Sequence, residues 1–245
     1  MSFVTILYAA LFYFAATILF VGLAYRVYEY AKIPAPLKIP TPPAPMTQRG
    51  VAIRIFREVV FFESLFSATK WTWLFSWIFH LALLLAALRH LKYFTDPVWF
   101  WVSSELVQVA GHYAAYLMLA GLLGLFARRV FVDRVRYISS PSDYLILVLI
   151  IAIAGSGLMM KWFPSDILAI KLFFVGLLTF NFSELPPDAI LLIHLSRVIA
   201  LMIIFPYSKL LHAPGLFFSP TRNQVDNARS KRHVADWAKR MESTK

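Results

Sequence analysis

The sequence contains no cysteine among its 245 residues. A chain without thiolates cannot ligate an iron–sulfur cluster through cysteine, attach a c-type haem or form a disulfide bond. Any metal that it holds must therefore be bound by histidine, methionine or carboxylate side chains, or arrive as part of a cofactor.

Charged residues are also scarce, at 15% of the chain, whereas 60% of the residues are hydrophobic and the mean hydropathy is +0.66. This composition, with its long apolar runs, excludes a soluble domain and predicts an all-α integral membrane protein. We expect a membrane domain over residues 1–214, a basic tail over 215–245 and membrane lipid as a partner. The net charge of +11 then reports which loops face the cytoplasm, and no nucleic-acid partner is predicted.

Apolar runs long enough to cross a bilayer predict a bundle of transmembrane helices. The first run is interpreted as an uncleaved span, because no positive charge precedes it and no small-residue cleavage site follows it. A further apolar run, 167–183, contains Lys171 and Asn181 and could either cross the membrane or lie in its interface. The five predicted spans are 3–25, 71–91, 105–127, 143–160 and 188–213.

The connection over residues 26–70 is polar. Six prolines within 33–46 predict an extended linker. Basic and apolar residues alternate over 47–66, which is typical of an interfacial amphipathic helix, although an extension of the next span fits equally well.

The distribution of lysine and arginine distinguishes five spans from six. With five spans, 26–70, 128–136 and 209–245 share one side and hold nineteen of the basic residues, against four on the other side. The positive-inside rule therefore favours five helices, an external N-terminus and a cytoplasmic C-terminus in a prokaryotic inner membrane.

Four histidines lie within the predicted spans, although ionisable side chains at membrane depth are costly and are candidates for function. His194 and His212 are 18 residues apart, roughly 27 Å on one face of a continuous helix, and Pro206 between them predicts a bend. His80 and His90 are roughly 15 Å apart on the second span. The topology places His80 and His212 toward the cytoplasm, and His90 and His194 toward the outside.

Two pairs of imidazoles at two depths suit two stacked haems, because a haem iron takes two axial imidazoles. The absence of cysteine makes haem b the fitting form. Three alternatives remain at this point: hydrogen bonding between helices, a metal transporter, and a structural anchor for a complex.

The spacing of these histidines, nine residues between the first two and seventeen between the last two, resembles the dihaem cytochrome b family of respiratory nitrate reductase gamma subunits. The five-span order matches that family, and the resemblance covers roughly residues 1–214. It implies crosswise ligation, with His80 and His212 on the inner haem iron and His90 and His194 on the outer.

The stretch Ser-Pro-Thr-Arg-Asn-Gln-Val-Asp-Asn-Ala-Arg, residues 219–229, looks like the membrane cytochrome of heterodisulfide-reductase-like complexes, the DsrM subunit type of the DsrMKJOP sulfur-metabolism complex. This resemblance implies a cytoplasmic iron–sulfur partner of the DsrK type and further membrane-complex subunits. We expect the tail 215–245 and the loop 128–136 to dock that partner.

Three cations lie near the histidines and are candidate ligands of haem propionates. Arg197 is one turn from His194 inside the fifth span, where a buried cation needs a counter-charge. Arg89 and Lys209 lie near span ends, where snorkelling to the interface explains them equally well.

Glu105, Gln108 and His112 follow i, i+3, i+7 spacing and therefore share one face of the third span. They could form a polar seam between helices or bind a quinone, menaquinone or ubiquinone, beside the outer haem. In the resembled family a lysine early in this helix is associated with quinol binding. This chain has no lysine there, and His112 is the possible substitute.

Overall fold

The computed structural model describes residues 1–33, 38–231, 233–234 and 236–243. Pro34 and Pro36 of the predicted linker, and residues 232, 235, 244 and 245 of the tail, lie outside the described residues. The described part is built of helices joined by turns and contains no β-strand, so the all-α prediction is confirmed.

The α-helices of the described residues are numbered in chain order. They are α1 (Phe3–Lys32), α2 (Gln48–Phe61), α3 (Glu63–Ala68), α4 (Lys70–His90), α5 (Glu105–Phe131), α6 (Asp133–Tyr137), α7 (Pro141–Met159), α8 (Ile167–Thr179), α9 (Ala189–Ile204), α10 (His212–Gly215) and α11 (Asp236–Ser243). Four 3-10 turns accompany them, at Leu91–Tyr93, Phe205–Tyr207, Lys209–Leu211 and Leu216–Phe218.

Among the described residues, five helical segments are long and apolar enough to cross a membrane: α1, α5, α7, and α4 and α9 with the 3-10 turns that follow them. Helix α8 has 13 residues, about 20 Å at 1.5 Å per residue, which is shorter than a hydrocarbon core of about 30 Å. The prediction of five spanning helices rather than six is therefore confirmed. The orientation of the termini stays a prediction.

Two helix boundaries differ from the sequence prediction. Helix α1 continues to Lys32 instead of ending at residue 25. Helix α9 ends at Ile204, whereas the last span was predicted to continue to residue 213. Pro206 explains the early end, because proline has no N–H to donate and its ring collides with the preceding turn. His194 and His212 therefore do not share one continuous helix, and the 27 Å spacing does not apply.

The connection after α1 forms a separate helix rather than an extension of the next span. Thr47 caps α2 by accepting a hydrogen bond from the Gly50 amide at 3.1 Å. Phe62, in the left-handed conformation with φ 51°, ends α2 before α3 begins. The position of α2 in the membrane interface stays a prediction.

The chain divides into two compact units, and the first comprises residues 1–19 and 65–204. Its hydrophobic core joins the first half of α1 to α8 and α9. The core side chains are Tyr8, Ala9, Ala15, Ile170, Phe173, Phe174, Leu177, Leu185, Leu191, Leu195 and Ile199. Helices α4, α5, α7 and α9 pack in that order beside it.

Helices α4 and α5 approach closely because α5 presents glycine to α4. A β-carbon at Gly121 would lie 2.8 Å from the Phe75 carbonyl oxygen, and one at Gly111 would lie 2.8 Å from Cβ of Arg89. Small residues let membrane helices pack backbone against side chain in this way. These contacts also fix the position of α5 along α4, because Gly111 lies at the level of Arg89, the neighbour of His90.

The second unit comprises residues 20–64 and 205 onward, and its C-terminal segment packs against the connection before α2. The Thr41 amide donates to the Thr221 carbonyl at 3.0 Å, and the Asp226 amide donates to the Pro45 carbonyl at 2.9 Å. A guanidinium nitrogen of Arg222 lies 3.1 Å from Oε1 of Glu58, the acidic residue of α2. The stretch 219–227 is therefore a packed part of this unit rather than a free tail.

Glu184, in the loop before α9, is bound to the start of α1. Its carboxylate accepts hydrogen bonds from the Thr5 hydroxyl and from the Ser2 amide, each at 2.8 Å. The Thr5 hydrogen bond is the largest cause that lowers the pKa of this carboxyl to about 2 from the ordinary 4.5; desolvation acts in the opposite direction. The charged form of Glu184 therefore stabilises the folded state.

We expect this carboxylate to give the protein an acid-sensitive stability. Because the folded pKa is depressed, the contribution is complete above about pH 4.5 and is lost as the pH falls toward about 2. Thermal unfolding in detergent should show the parent losing stability across this window, whereas Glu184→Gln should lack that component. An unchanged pH profile in Glu184→Gln would assign the acid sensitivity to other groups.

Candidate functional site

His80 and His90 lie on α4, and each ring is held by its own helix. Nδ1 of His80 lies 2.7 Å from the Ser76 carbonyl oxygen, and Nδ1 of His90 lies 2.6 Å from the Ala86 carbonyl oxygen. Both acceptors are four residues earlier in the helix. A carbonyl oxygen can only accept, so Nδ1 carries the proton in each ring.

His194 is buried in the first unit, with 9% of its surface exposed, and its ring is held by the neighbouring helix α7. Nδ1 lies 3.2 Å from the Ile153 carbonyl oxygen and 3.1 Å from Oγ of Ser156. The Ser156 hydroxyl donates its hydrogen to a carbonyl of its own helix, at 2.8 Å from Ala152 and 3.1 Å from Ile153. Toward His194 this hydroxyl therefore accepts, and Nδ1 of His194 is again the donor.

His212 lies in the second unit, at the start of α10. Its Nδ1 lies 3.0 Å from the Lys209 carbonyl oxygen, so the same reasoning gives Nδ1 the proton. The four predicted ligands thus share one tautomer, in which Nε2 carries the lone pair that can bind a metal. Metal-binding histidines are usually oriented by a hydrogen bond from the ring nitrogen that does not bind the metal, often to a backbone carbonyl.

The other two histidines of the sequence have different surroundings. Nε2 of His233, rather than Nδ1, bonds to Oδ1 of Asn227 at 2.8 Å. His112 contacts the Tyr113 ring, with centroids 5.2 Å apart, and makes no bond to a carbonyl within the described residues. The carbonyl-held tautomer therefore separates the four predicted ligands from the two remaining histidines.

His90 and His194 both lie in the first unit, on α4 and α9 respectively. His80 lies in the same unit, ten residues before His90 on α4. His212 lies in the second unit. The pairing of His90 with His194 stays a prediction. The pairing of His80 with His212 stays a prediction from sequence.

Sequence analysis missed the residues of α7 that position His194. A β-carbon at Gly157 would lie 3.3 Å from Cε1 and 3.7 Å from Nδ1 of the imidazole, so only glycine leaves the ring its present space. Ser156 supplies the polar contact beside it. The stretch Gly155-Ser156-Gly157, small residues inside a strongly apolar span, was the available signal.

Arg197 lies one turn after His194, half-buried, and donates to the Ala152 carbonyl oxygen at 3.0 Å. No carboxylate of the described residues lies within salt-bridge distance of it. Its positive charge is therefore not neutralised by this part of the protein, which suits an anionic group supplied by a cofactor. The aliphatic part of Arg89 packs on Gly111, and Lys209 lies beside His212 in the second unit.

The three predicted quinone residues differ in their freedom to bind a ligand. Glu105 is exposed in the first turn of α5. The Gln108 amide is already used, because Nε2 donates to the Val102 carbonyl at 2.8 Å and Oε1 accepts from Lys92 at 3.4 Å. His112 is half-buried and its ring contacts that of Tyr113.

Two lysines that sequence analysis did not assign to this region approach the N-terminal half of α5. Lys92 reaches Gln108 from the 3-10 turn after α4. Nζ of Lys161 lies 4.3 Å from the centroid of the Tyr116 ring and 5.8 Å from that of Tyr113. These contacts join residues that are far apart in sequence, so no local sequence motif predicts them.

A two-histidine site suits a metal that arrives with its other ligands, as the iron of a haem does. The described residues contain no cluster of three or more His, Asp or Glu side chains that could hold a metal ion. The chemistry of the residues present suits haem ligation by His90 and His194. Each imidazole has Nδ1 held by a carbonyl, Gly157 leaves room at the His194 ring, and Arg197 has no carboxylate partner among the described residues.

Comparison with known proteins gives the same class of molecule. The family described as "Nitrate reductase gamma subunit" matches residues 62–227. A protein of Archaeoglobus fulgidus named "Hdr-like menaquinol oxidoreductase cytochrome b-like subunit" is 35% identical, over 92% of this chain and 81% of its own length. A protein of the same name from Archaeoglobus profundus is 32% identical, over 94% of this chain and 82% of its own length.

Proposed function

Because the chain belongs to the nitrate reductase gamma subunit family of membrane cytochromes b, we propose that it carries electrons between membrane quinone and a cytoplasmic iron–sulfur protein. The observation that carries the proposal is the common tautomer of His80, His90, His194 and His212, each held through Nδ1 by a backbone carbonyl. Four such rings, with metal-binding Nε2 atoms, match two b-type haems with two axial ligands each.

His90 and His194 hold the outer haem in this proposal, and His80 and His212 hold the inner one. A bound haem supplies one-electron redox chemistry, and the chain supplies its binding, orientation and charge. Arg197 is the propionate partner at the outer haem, because its guanidinium has no carboxylate partner among the described residues. Arg89 and Lys209 are the corresponding candidates near the ends of α4 and α9.

Quinol binds on the outer side, beside the haem of His90 and His194, and menaquinol is the first candidate because the relatives' printed name contains it. His112 accepts the proton of the quinol, since an imidazole changes protonation state near neutral pH. Lys92 holds Gln108 in place, so the Gln108 side chain forms part of the wall of the quinone site. Protons released there leave to the outside while electrons move inward, which makes quinol oxidation electrogenic.

We expect His112→Gln to slow the reduction of the haems by a quinol analogue by about tenfold or more, because glutamine bonds hydrogen but cannot accept the proton. Stopped-flow absorbance measures the rate, and pyridine haemochrome analysis checks that two haems remain. His233→Gln is the matched control, since that histidine lies outside the spans. Unchanged rates in both His112→Gln and His112→Ala would place the quinone site elsewhere.

The cytoplasmic side is assigned by charge, because the five spanning helices place the basic connection, the loop 128–136 and the C-terminal segment on one side. The partner that docks there is a heterodisulfide-reductase-like iron–sulfur subunit of the DsrK type. The motif 219–229 and the words "Hdr-like" in the relatives' name support this assignment. The chain then belongs to a multi-subunit complex of sulfur metabolism in a prokaryotic inner membrane.

The structure determines where a truncation can test this partner. Removing residues from 222 onward would delete Arg222 and its ion pair with Glu58, and would therefore damage the second unit. Removing 228–245 spares the packed stretch 219–227. We expect this shorter truncation to keep both haems and to lose the partner during purification, as measured by subunit stoichiometry. If the partner is retained at its full stoichiometry, the segment after residue 227 is not its binding site.

The visible spectrum of the purified chain tests the function itself. Reduced b-type bands at two haems per chain are expected. A colourless protein would overturn the proposal and favour a histidine-lined transporter or a structural anchor. Oxidation of menaquinol by the complex, with nitrate as the final electron acceptor, would instead identify the chain as the gamma subunit of a respiratory nitrate reductase.

A further inference from the structure

Helix α2 turns two of its four charged side chains, Arg54 and Glu58, toward the second unit. The guanidinium of Arg54 donates to the Thr41 carbonyl at 2.9 Å. Glu58 accepts hydrogen bonds from Arg222 at 3.1 Å and from the Ser64 amide at 3.1 Å. Val51, one turn before Arg54 on the same face, is buried. The face of α2 that packs on the second unit thus carries a buried valine together with two charged residues that have protein partners.

The opposite face of α2 is apolar and exposed. We call Ala52, Ile53, Phe56 and Val59 the α2 stripe; their i, i+3 and i+4 spacing places them on one side of the helix. Ile53 is 51% exposed, Phe56 58% and Val59 42%. An exposed apolar stripe of this kind needs an apolar surface to cover it.

The two exposed charged residues of α2 itself, Arg49 and Arg57, are both positive. Arg49 lies one turn before Ile53 on the exposed face, and Arg57 follows Phe56 at its edge, where it pairs with Glu63. The acidic residue of the helix, Glu58, faces inward. A basic rim around an apolar stripe is the pattern of a helix that lies on an anionic membrane surface.

We propose that the α2 stripe binds the surface of an anionic bilayer, with α2 parallel to the membrane and Arg49 at the lipid phosphates. The chain itself supplies a reason for choosing lipid over protein. In the sequence, helix α2 comes between the spanning helices α1 and α4, and eight residues separate its end at Phe61 from the start of α4 at Lys70. It is therefore tethered at the membrane surface, where lipid is always present.

The absence of cysteine makes a direct test possible. Phe56→Cys and Ile53→Cys, each with a nitroxide label, are compared with Lys231→Cys, an exposed position of the C-terminal segment. The full chain is reconstituted in nanodiscs of phosphatidylcholine and phosphatidylglycerol in equal parts. Accessibility to oxygen, which partitions into lipid, is measured against accessibility to a water-soluble nickel chelate.

We expect the oxygen-to-nickel accessibility ratio at positions 53 and 56 to exceed that at position 231 severalfold. Arg49→Glu should lower the ratio at position 56 toward the control value, because it reverses the charge that faces the phosphates. Equal ratios at positions 56 and 231 would mean that the stripe lies in water and would overturn the proposal. Protection that arises only when a cytoplasmic partner is added would overturn it too, by identifying a protein interface.

Discussion

His194→Ala and His90→Ala should each abolish the same haem, leaving one haem per chain where the parent has two. The reason is that the proposed outer haem takes both rings as ligands: the two histidines lie in the first unit, and in each ring Nδ1 is held by a carbonyl, which leaves Nε2 for the iron. A haem iron that loses one of its two imidazoles loses the site that held it in the bundle. Haem content, together with the reduced spectrum at low temperature, measures which signal is gone.

His80→Ala and His212→Ala should remove the other haem, and His112→Ala should remove neither. His112 is the matched control, because it is a histidine at a similar depth whose Nδ1 is not held by a carbonyl in the described residues. If His80→Ala and His194→Ala abolished the same signal, the depth pairing and the five-span topology behind it would both be wrong.

Gly157→Val should also remove the outer haem, although residue 157 is not a ligand. A β-carbon at this position already lies 3.3 Å from Cε1 of His194, and the two methyl groups of valine extend farther into the ring. The imidazole must then turn away from the Ile153 carbonyl and Ser156, and Nε2 leaves its present direction. We expect near-complete loss of the haem that His194→Ala removes.

Gly155→Val is the matched control on the same helix. A β-carbon at Gly155 meets no atom within 4 Å, so the same valine is added to α7 without touching His194. Gly155→Val should keep two haems, and Gly157→Ala should fall between the two valine variants. Equal haem content in Gly155→Val and Gly157→Val would show that the space at Gly157 does not control the ligand.

The spanning helices could be predicted from sequence because each carries its own signal. Long apolar runs mark them, and the lysine and arginine count distinguished five from six before the length of α8 was known. The end of α9 was predicted less well. Pro206 was recognised as the cause of a distortion, but a proline can bend a helix or end it, and neighbouring contacts decide between these outcomes.

The surroundings of the site could not be predicted, because they depend on contacts between distant segments. The four histidines were found from spacing alone. Their common tautomer depends on backbone carbonyls, which every residue has, so no side-chain pattern reveals it. The contact of Lys92 with Gln108 and the packing of 219–227 on the proline-rich connection likewise join residues that sequence analysis treats separately.

The two rings of the outer site differ in what holds them, and this difference has a mechanical consequence. The acceptor for His90 belongs to its own helix, so that ring moves as a rigid part of α4 and no side-chain substitution can delete its partner. The acceptors for His194 belong to α7. If His90 and His194 hold a haem as proposed, sliding of α7 along α9 would turn the His194 ring and leave the His90 ring in place. A subunit that pressed on α7 would then change the orientation of one ligand only.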